Sequence, residues 1–226
     1  LMGVPKTIFR LDPKYTYSVL ELGTNQFGEI EKLAEITQPD IGVIISIGAS
    51  HLEFLRDELG VFKEKTALFQ PELKEKFFPA DDERFRRFVG MSFGSSLNSD
   101  FRFTDIQSEN EITKFKVNES EFSIPTPFKE FTLNAGISVA IATKLQIEED
   151  TIQIGLNKPL KISQRMEILK QNGKTLLVDC YNANPDSMRA AIEFWNEYEV
   201  TKPHYAILGD MLELGDRSAR EHEIVL

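Results

Sequence analysis

The chain has 226 residues, 41% hydrophobic and 10% aromatic with 17 Phe, a composition that fills one large or two modest globular cores and excludes disorder. A formal net charge of −10 disfavours nucleic acid and anionic membranes as partners, and no run of 18 consecutive apolar residues offers a membrane-spanning helix. A single cysteine, Cys180, rules out an internal disulfide framework and fits a reducing, cytoplasmic setting.

The opening "LMGVPKTIFRLDPKY" has neither a signal-peptide layout nor an initiating Met, and the closing "REHEIVL" stops in the first turns of a helix. Both ends therefore read as internal to a longer chain. In chain order, "YTYSVLELG" (residues 15–23) reads as a strand running into a Gly turn. "GEIEKLAEITQ" sets Ile30, Leu33, Ala34 and Ile36 at helical spacing, and Pro39 with Asp40 ends that helix. "IGVIISIG" (residues 41–48) is a continuous β-branched run suited to a parallel strand buried on both faces. Strand, helix and buried strand make a βαβ unit, expected to be right-handed. A polar turn with His51 leads to a helix over residues 59–69, with Val61, Phe62, Leu68 and Phe69 as its buried stripe.

Past "KFFPADDERFRRFVGMSFG" the pattern changes to short alternating segments, "FRFTDIQ", "ITKFKV" and "EFSIP", expected to form an antiparallel edge or side sheet. "NAGISVAIATKLQI" follows as an Ala-rich helix. "GLNKPLKIS" combines Gly, Asn and Pro between periodic segments, so a boundary near residues 156–163 separates units at 1–158 and 159–226. The second unit opens with a hairpin, since Asn172-Gly173 between alternating runs signals a type I′ turn. The helix "PDSMRAAIEFWNEY", a buried strand "HYAILGD" and a loop turning into another helix complete it. The expected fold is α/β: a mostly parallel central sheet flanked by helices, a small antiparallel side sheet, and a partial Rossmann-like α/β unit at the C-terminal end.

In open parallel sheets, ligands gather at the carboxyl ends of strands. Glu21, His51, Asp179 with residues 181–184, and Gly209 with Asp210 fall there. Each has an ordinary reading. Glu21 suits a helix cap or a solvated charge, His51 a capping region, and Lys63 and Lys65 the charged stripe of an amphipathic helix. "NGKT" (residues 172–175) ends like a phosphate loop, but Ile168 stands where the first glycine belongs, and the hairpin explains it better. At "YNANPDSM", Asn184 suits a helix N-cap, Pro185 the first helical position and Asp186 the dipole. Those preferences leave Asp179, Tyr181 and Asn182 unexplained.

Together these segments resemble the Mur ligase family, ATP-dependent amide ligases of peptidoglycan precursor synthesis. "GVPKTIFRL" looks like the segment after that family's phosphate loop, and "VLELGTNQFGEIEKLAEITQPDIGVIISIGASHLEFL" is similar to its E-[LM]-G-[AT]-N…GEI…A-H-L-E block. "GVFKEKTALF" is similar to its lysine-bearing helix, while "DCYNANPDSMRAA" with "LGDMLELG" matches the branch that adds D-alanyl-D-alanine. The resemblance implies a central ATP-binding domain lacking its phosphate loop at 1–158 and the first part of the C-terminal domain at 159–226.

It also implies roles. Glu21, His51 and Lys65 would be the catalytic metal-binding set for Mg²⁺, with Lys65 as a carbamate. Asn134, Arg165, Asp179, Tyr181, Asn182 and Asn184 would hold ATP, and Asp210 the substrate. The implied substrates are the UDP-linked muramoyl tripeptide and D-alanyl-D-alanine, joined through an acyl phosphate by a monomeric cytoplasmic enzyme with no nucleic-acid partner. Three positions depart from the family pattern: Leu133 and Ile137 replace a His and an Asn of G-x-H-N-x-x-N, and Gln164 replaces the Gly of G-R-x-E. Without a phosphate loop, the isolated 226 residues are expected to show no ligase activity. Two other readings stay open: a folylpolyglutamate- or cyanophycin-synthetase-like sibling, and a non-catalytic nucleotide-binding relative.

Overall fold

A computed structural model describes residues 2–48, 52–158, 164–198 and 203–225. The first half runs α1 (Gly3–Ile8), α2 (Glu29–Thr37), β1 (Ile41–Val43), α3 (Leu52–Leu55), α4 (Glu58–Thr66), β2 (Glu75–Pro79) and β3 (Met91–Gly94). There follow β4 (Phe101–Glu109), β5 (Ile112–Val117), β6 (Ser120–Ile124), α5 (Phe131–Lys144) and α6 (Glu149–Leu156). The remainder holds β7 (Glu167–Gln171), β8 (Lys174–Val178), α7 (Pro185–Glu197) and α8 (Ser218–Val225).

Phenylalanines organise the core. Strands β1 to β6 form one sheet in sequence order, parallel from β1 through β4 and antiparallel from β4 through β6. Side chains alternate faces along a strand, so neighbouring Phe77 and Phe78 enter different cores. Phe77, Phe93, Phe103, Phe115 and Phe122 pack against Ala135, Ile137, Val139 and Ala140 of α5 and Ile152 of α6. On the other side, Phe78 and Phe85 join Ile44, with Phe62 and Phe69 beside them. A Cβ at Gly136 would come within 2.8 Å of the Phe103 ring, so glycine lets α5 lie close on β4. The antiparallel strands are thus an extension of the central sheet rather than a layer beside it, and β7–β8 form a separate two-stranded sheet.

Several local expectations hold. Ile30, Leu33 and Ala34 are the buried residues of α2. Asn172 and Gly173 both take positive φ, 51° and 73°, as a type I′ hairpin requires. Asn184 caps α7 in a capping box with Ser187, and Pro185 opens the helix.

Three strand expectations do not hold. Residues 15–23 form no strand, and Tyr15, Tyr17 and Val19 are exposed. The 41–48 run gives a three-residue strand, continued by one bond from Ile44 N–H to the Phe77 carbonyl, after which Ile45 is exposed. Residues 204–210 are also without regular structure, and Ile207 is fully exposed. The reason is shared. An apolar β-branched run shows fitness for a sheet interior, but a strand exists only where a neighbour supplies ladder hydrogen bonds. Among the described residues β1 has β2 alone as partner, and neither 15–23 nor 204–210 meets a strand. No described helix is long and apolar enough to cross a membrane.

The two halves touch. Phe128 and Phe194 rings lie 4.4 Å apart, and Lys170 pairs with Glu111 at 3.1 Å.

Phe115 is 0% exposed, so Phe115→Ala should cost about 3–5 kcal/mol in urea unfolding; a loss below about 1 kcal/mol contradicts this core assignment. Burial alone would raise the Asp81 carboxyl, but donors from Ser96 and Ser95 outweigh it and hold it below the usual carboxylate range. The stability it contributes is present above the unfolded carboxylate value, roughly 3.9, and is lost as pH falls through the lower folded value. The stability advantage of the wild type over Asp81→Asn should therefore shrink as acid unfolding is followed below about pH 4.

Candidate active site

Parallel pairing aims the carboxyl ends of β1 to β3 at one edge, where residues 44–48, 80–82 and 95–96 leave the sheet. Helix α4 is fixed beside this edge. It begins at Asp57, whose side chain accepts from Gly60 N–H at 2.8 Å, and Lys65 Nζ donates to the Ser46 carbonyl at 3.0 Å. Lys65 is therefore no solvated stripe residue. Burial pushes its amine below the ordinary lysine value, which favours the neutral form.

Glu64, next in the chain, is 3% exposed. Its carboxylate accepts from Gly28 N–H at 2.7 Å, Ile30 N–H at 2.8 Å and the Thr24 hydroxyl at 3.0 Å. Glu29 closes the same turn by accepting from Asn25 N–H at 2.8 Å and Gln26 N–H at 3.1 Å. The Asn25 bond is the main reason its carboxyl lies below the usual range. Glu21, three residues before Thr24, is exposed on an open groove of about 400 Å³ shared with Gly3, Thr7, Val19 and Leu33.

A second cluster forms where the β7–β8 hairpin opens. Gln164 and Met166 take left-handed backbones, at φ 64° and 48°. The Gln164 carbonyl accepts from Cys180 and Tyr181 N–H at 2.9 and 3.1 Å, and Met166 N–H donates to Asp179 Oδ1 at 3.2 Å. These bonds bring Arg165 across to Tyr181, with its guanidinium 4.2 Å from the ring centroid. Tyr181 is 64% exposed, so the stacked pair offers an accessible planar cation–aromatic surface. Asn182 is exposed nearby in sequence, whereas Asn184 spends its Oδ1 on the Ser187 N–H at 2.9 Å. The first turn of α7 approaches the end of β1: a Cβ on Gly48 would lie 3.1 Å from Asp186 Oδ2.

Asp210 Oδ1 is 2.7 Å from His222 Nε2. That ring also faces Met211 N–H through Nε2 at 3.0 Å and the Ser218 carbonyl through Nδ1 at 2.8 Å. With the proton on Nδ1, Nε2 accepts from Met211; protonation at Nε2 makes it a donor to Asp210. A ladder of alternating charge then crosses from the β2 end to α8. Asp82 pairs with Arg84 at 2.7 Å, Arg84 with Glu58 at 3.9 Å, Glu58 with Arg217 at 3.3 Å, and Arg217 with buried Glu221 at 3.0 Å.

The expected residues thus fall into separate groups. Arg165, Asp179 and Tyr181 come together; Lys65 and Glu21 lie on elements joined through the Glu64-bound turn; Asp210 stands in the C-terminal loop. His51 lies outside the described residues. Asn134 is exposed on α5, apart from the Arg165 corner among the described contacts, and the neighbouring Leu133 and Ile137 pack into the sheet core. Sequence reasoning missed Glu64, Arg84, Arg217 and His222. Only Glu64 carried a local signal, since it sits three residues after Val61 and four before Leu68 within the apolar spacing expected of a helix over residues 59–69.

The chain is similar to known proteins along most of its length. Residues 1–148 match the Mur ligase middle domain, and residues 164–226 match the model described as Mur ligase, glutamate ligase domain. Among curated relatives, the UDP-N-acetylmuramoyl-tripeptide–D-alanyl-D-alanine ligases of Bacillus subtilis and Escherichia coli are 29% and 32% identical over 98% of this chain. The chain spans about half their length, 50% and 52% respectively. A MurF crystal structure from Acinetobacter baumannii aligns with TM-score 0.85 and 27% identity, covering 99% of this chain and 51% of that one. MurF of Thermotoga maritima in complex with ADP aligns with TM-score 0.78 and 25% identity, covering 93% and 52%. With both parts matched in order and the sheet shared throughout, the chain belongs to the Mur ligase family.

Proposed function

We propose that this chain forms the central and C-terminal walls of an ATP-dependent amide ligase. The enzyme adds D-alanyl-D-alanine to a UDP-N-acetylmuramoyl-tripeptide during cytoplasmic synthesis of peptidoglycan precursors. The observation that carries this reading is similarity along 98% of the chain to relatives of that name, together with the convergence of Arg165, Asp179 and Tyr181 at one corner. We assign 1–158 to the ATP-binding unit and 159–226 to the unit that closes over it.

The residues act by positioning. The Arg165–Tyr181 stack suits the flat base or the phosphates of a nucleotide, and the Thermotoga maritima relative was solved in complex with ADP, which supports a nucleotide as ligand of the family. Asp179 uses Oδ1 on Met166 N–H, which leaves Oδ2 for a ribose hydroxyl. Asn182 borders the same corner, and the cap at Asn184 fixes the course of the chain between them and α7. Asn134 contributes at the edge of the nucleotide and Asp210 on the acceptor side. The tripeptide carboxylate attacks the γ-phosphorus of ATP, ADP leaves, and the dipeptide amine displaces phosphate from the acyl phosphate to give the amide.

The donor set fits a hard divalent cation. Glu21 is an accessible carboxylate, and partial burial lowers the Lys65 amine below the ordinary lysine value, which eases loss of its proton. That amine attacks carbon dioxide and releases a proton, becoming a carbamate with two oxygen donors. Glu21, His51 and carbamylated Lys65 would hold Mg²⁺, which when bound offsets the charge of the phosphoryl oxygens. Metal mediation lets a chain of net charge −10 handle anionic substrates.

In the active ligase, Lys65→Ala should lower kcat at least about 100-fold, as expected for loss of an electrostatic group in the transition state. Near wild-type turnover removes Lys65 from the mechanism. Acceptor competition tests the reaction itself: D-alanyl-D-alanine should support ATP-dependent amide formation and free glutamate should not. Preference for glutamate would assign the enzyme to the sibling class.

A further inference from the structure

A carboxylate as buried as Glu64 ordinarily has a cationic partner, because desolvation of a lone charge is costly. Among the described residues no Lys, Arg or His pairs with Glu64. Its charge is met instead by donors 34 to 40 residues away in sequence, all in the turn after Glu21. The two backbone bonds, at 2.7 and 2.8 Å, have the short lengths of charge-assisted bonds. The Thr24 hydroxyl has one proton to share between Glu64 Oε1 and the Gln26 carbonyl, at 3.0 and 2.9 Å. With Glu29 holding the Asn25 and Gln26 amides, four backbone N–H groups of one turn point at two carboxylates. Gly28, at φ 84°, supplies the left-handed step that lets them do so.

What this turn connects gives Glu64 its meaning. Glu21 is three residues before the turn, and Lys65 is the residue after Glu64, bonded to the loop at the end of β1. Residues 64 and 65 of a helix point about 100° apart, so α4 can hold the turn on one side and the β1 end on the other. We propose that Glu64 is a positioning residue whose buried carboxylate clasps the 24–30 turn to α4 and fixes Glu21 relative to Lys65. The proposal rests on the assignment of Glu21 and Lys65 to a divalent-cation site.

Charge and acceptor count, not shape, are what the clasp needs. Glu64→Gln keeps the volume, but its amide NH₂ would face a backbone N–H, leaving that donor unpaired. Thr24→Val removes one donor with little change in shape. Val61→Ala, on the same helix and fully buried, serves as a destabilised control that leaves the clasp intact.

Amide exchange in the 226-residue chain tests the clasp, and Mn²⁺ binding, read from the free-ion electron-spin signal with ADP present, tests the positioning. In Glu64→Gln the Gly28 and Ile30 amides should exchange at least about tenfold faster while β4–β6 remain protected. Thr24→Val should give a smaller effect that is non-additive with Glu64→Gln. Mn²⁺ affinity should fall at least about fivefold in Glu64→Gln and be unchanged in Val61→Ala. Unchanged exchange at Gly28 and Ile30 overturns the clasp. Faster exchange with unaltered Mn²⁺ affinity, or an equal loss in Val61→Ala, overturns the positioning role. A wild-type chain that binds no Mn²⁺ and, in the active ligase, a Lys65→Ala variant of normal turnover would sink the cation reading and the positioning role with it, while exchange still decides the clasp.

Discussion

Parallel pairing of β1 through β4 is the constraint on which the rest of the molecule depends, because parallel strands put all their carboxyl ends on one edge. That direction brings the 44–48, 80–82 and 95–96 loops into line and leaves the other faces to helices. The phenylalanine cores hold the arrangement in place. Phe77 and Phe78 enter different clusters, so the same strand is locked from both faces. Once the sheet is fixed, α4 lies across the loop edge and carries Glu64 and Lys65 to it.

Several carboxylates of this acidic chain are met by backbone amides and hydroxyls rather than by cations. Glu64, Glu29 and Asp81 each hold a turn by accepting several N–H or O–H bonds, and among the described residues none of the three forms a salt bridge. Such bonds satisfy a partly desolvated carboxylate and order the loop that donates them. Cations pair elsewhere: among them, Arg84 and Arg217 build the ladder between the β2 end and α8, Lys170 meets Glu111, and Arg165 stacks on Tyr181. Exposed pairs of that ladder contribute little stability singly. Their geometry matters more, since they span the two family-matched segments beside the bond from Glu53 N–H to the Glu213 carbonyl.

Residue departures that looked like losses of function acquire a packing explanation. Ile137 faces the sheet from α5 within the main core, and Leu133 packs against the same cluster. An apolar side chain at either place buries surface that a polar one would leave needing a partner. Gln164 differs in kind. Its carbonyl, not its side chain, ties the 164–166 turn to Cys180 and Tyr181, a role that survives replacement of the glycine expected there.

Features whose physics is local were legible in the amino-acid order alone. Asn172-Gly173 made a hairpin because both residues tolerate positive φ, Asn184-Pro185 started α7 because a side-chain acceptor and a fixed φ suit that turn, and helical spacing found the buried face of α2. The family resemblance, rather than local physics, singled out Arg165 together with Asp179 and Tyr181, and the hairpin brings the three together. Only the tertiary structure decided which apolar runs became strands, because ladder hydrogen bonds come from residues far away in sequence: 15–23 and 204–210 found none among the described residues. It alone turned Glu64 from one more charge on a helix into a buried acceptor, since three donors more than thirty residues distant had to meet it before that charge could leave water.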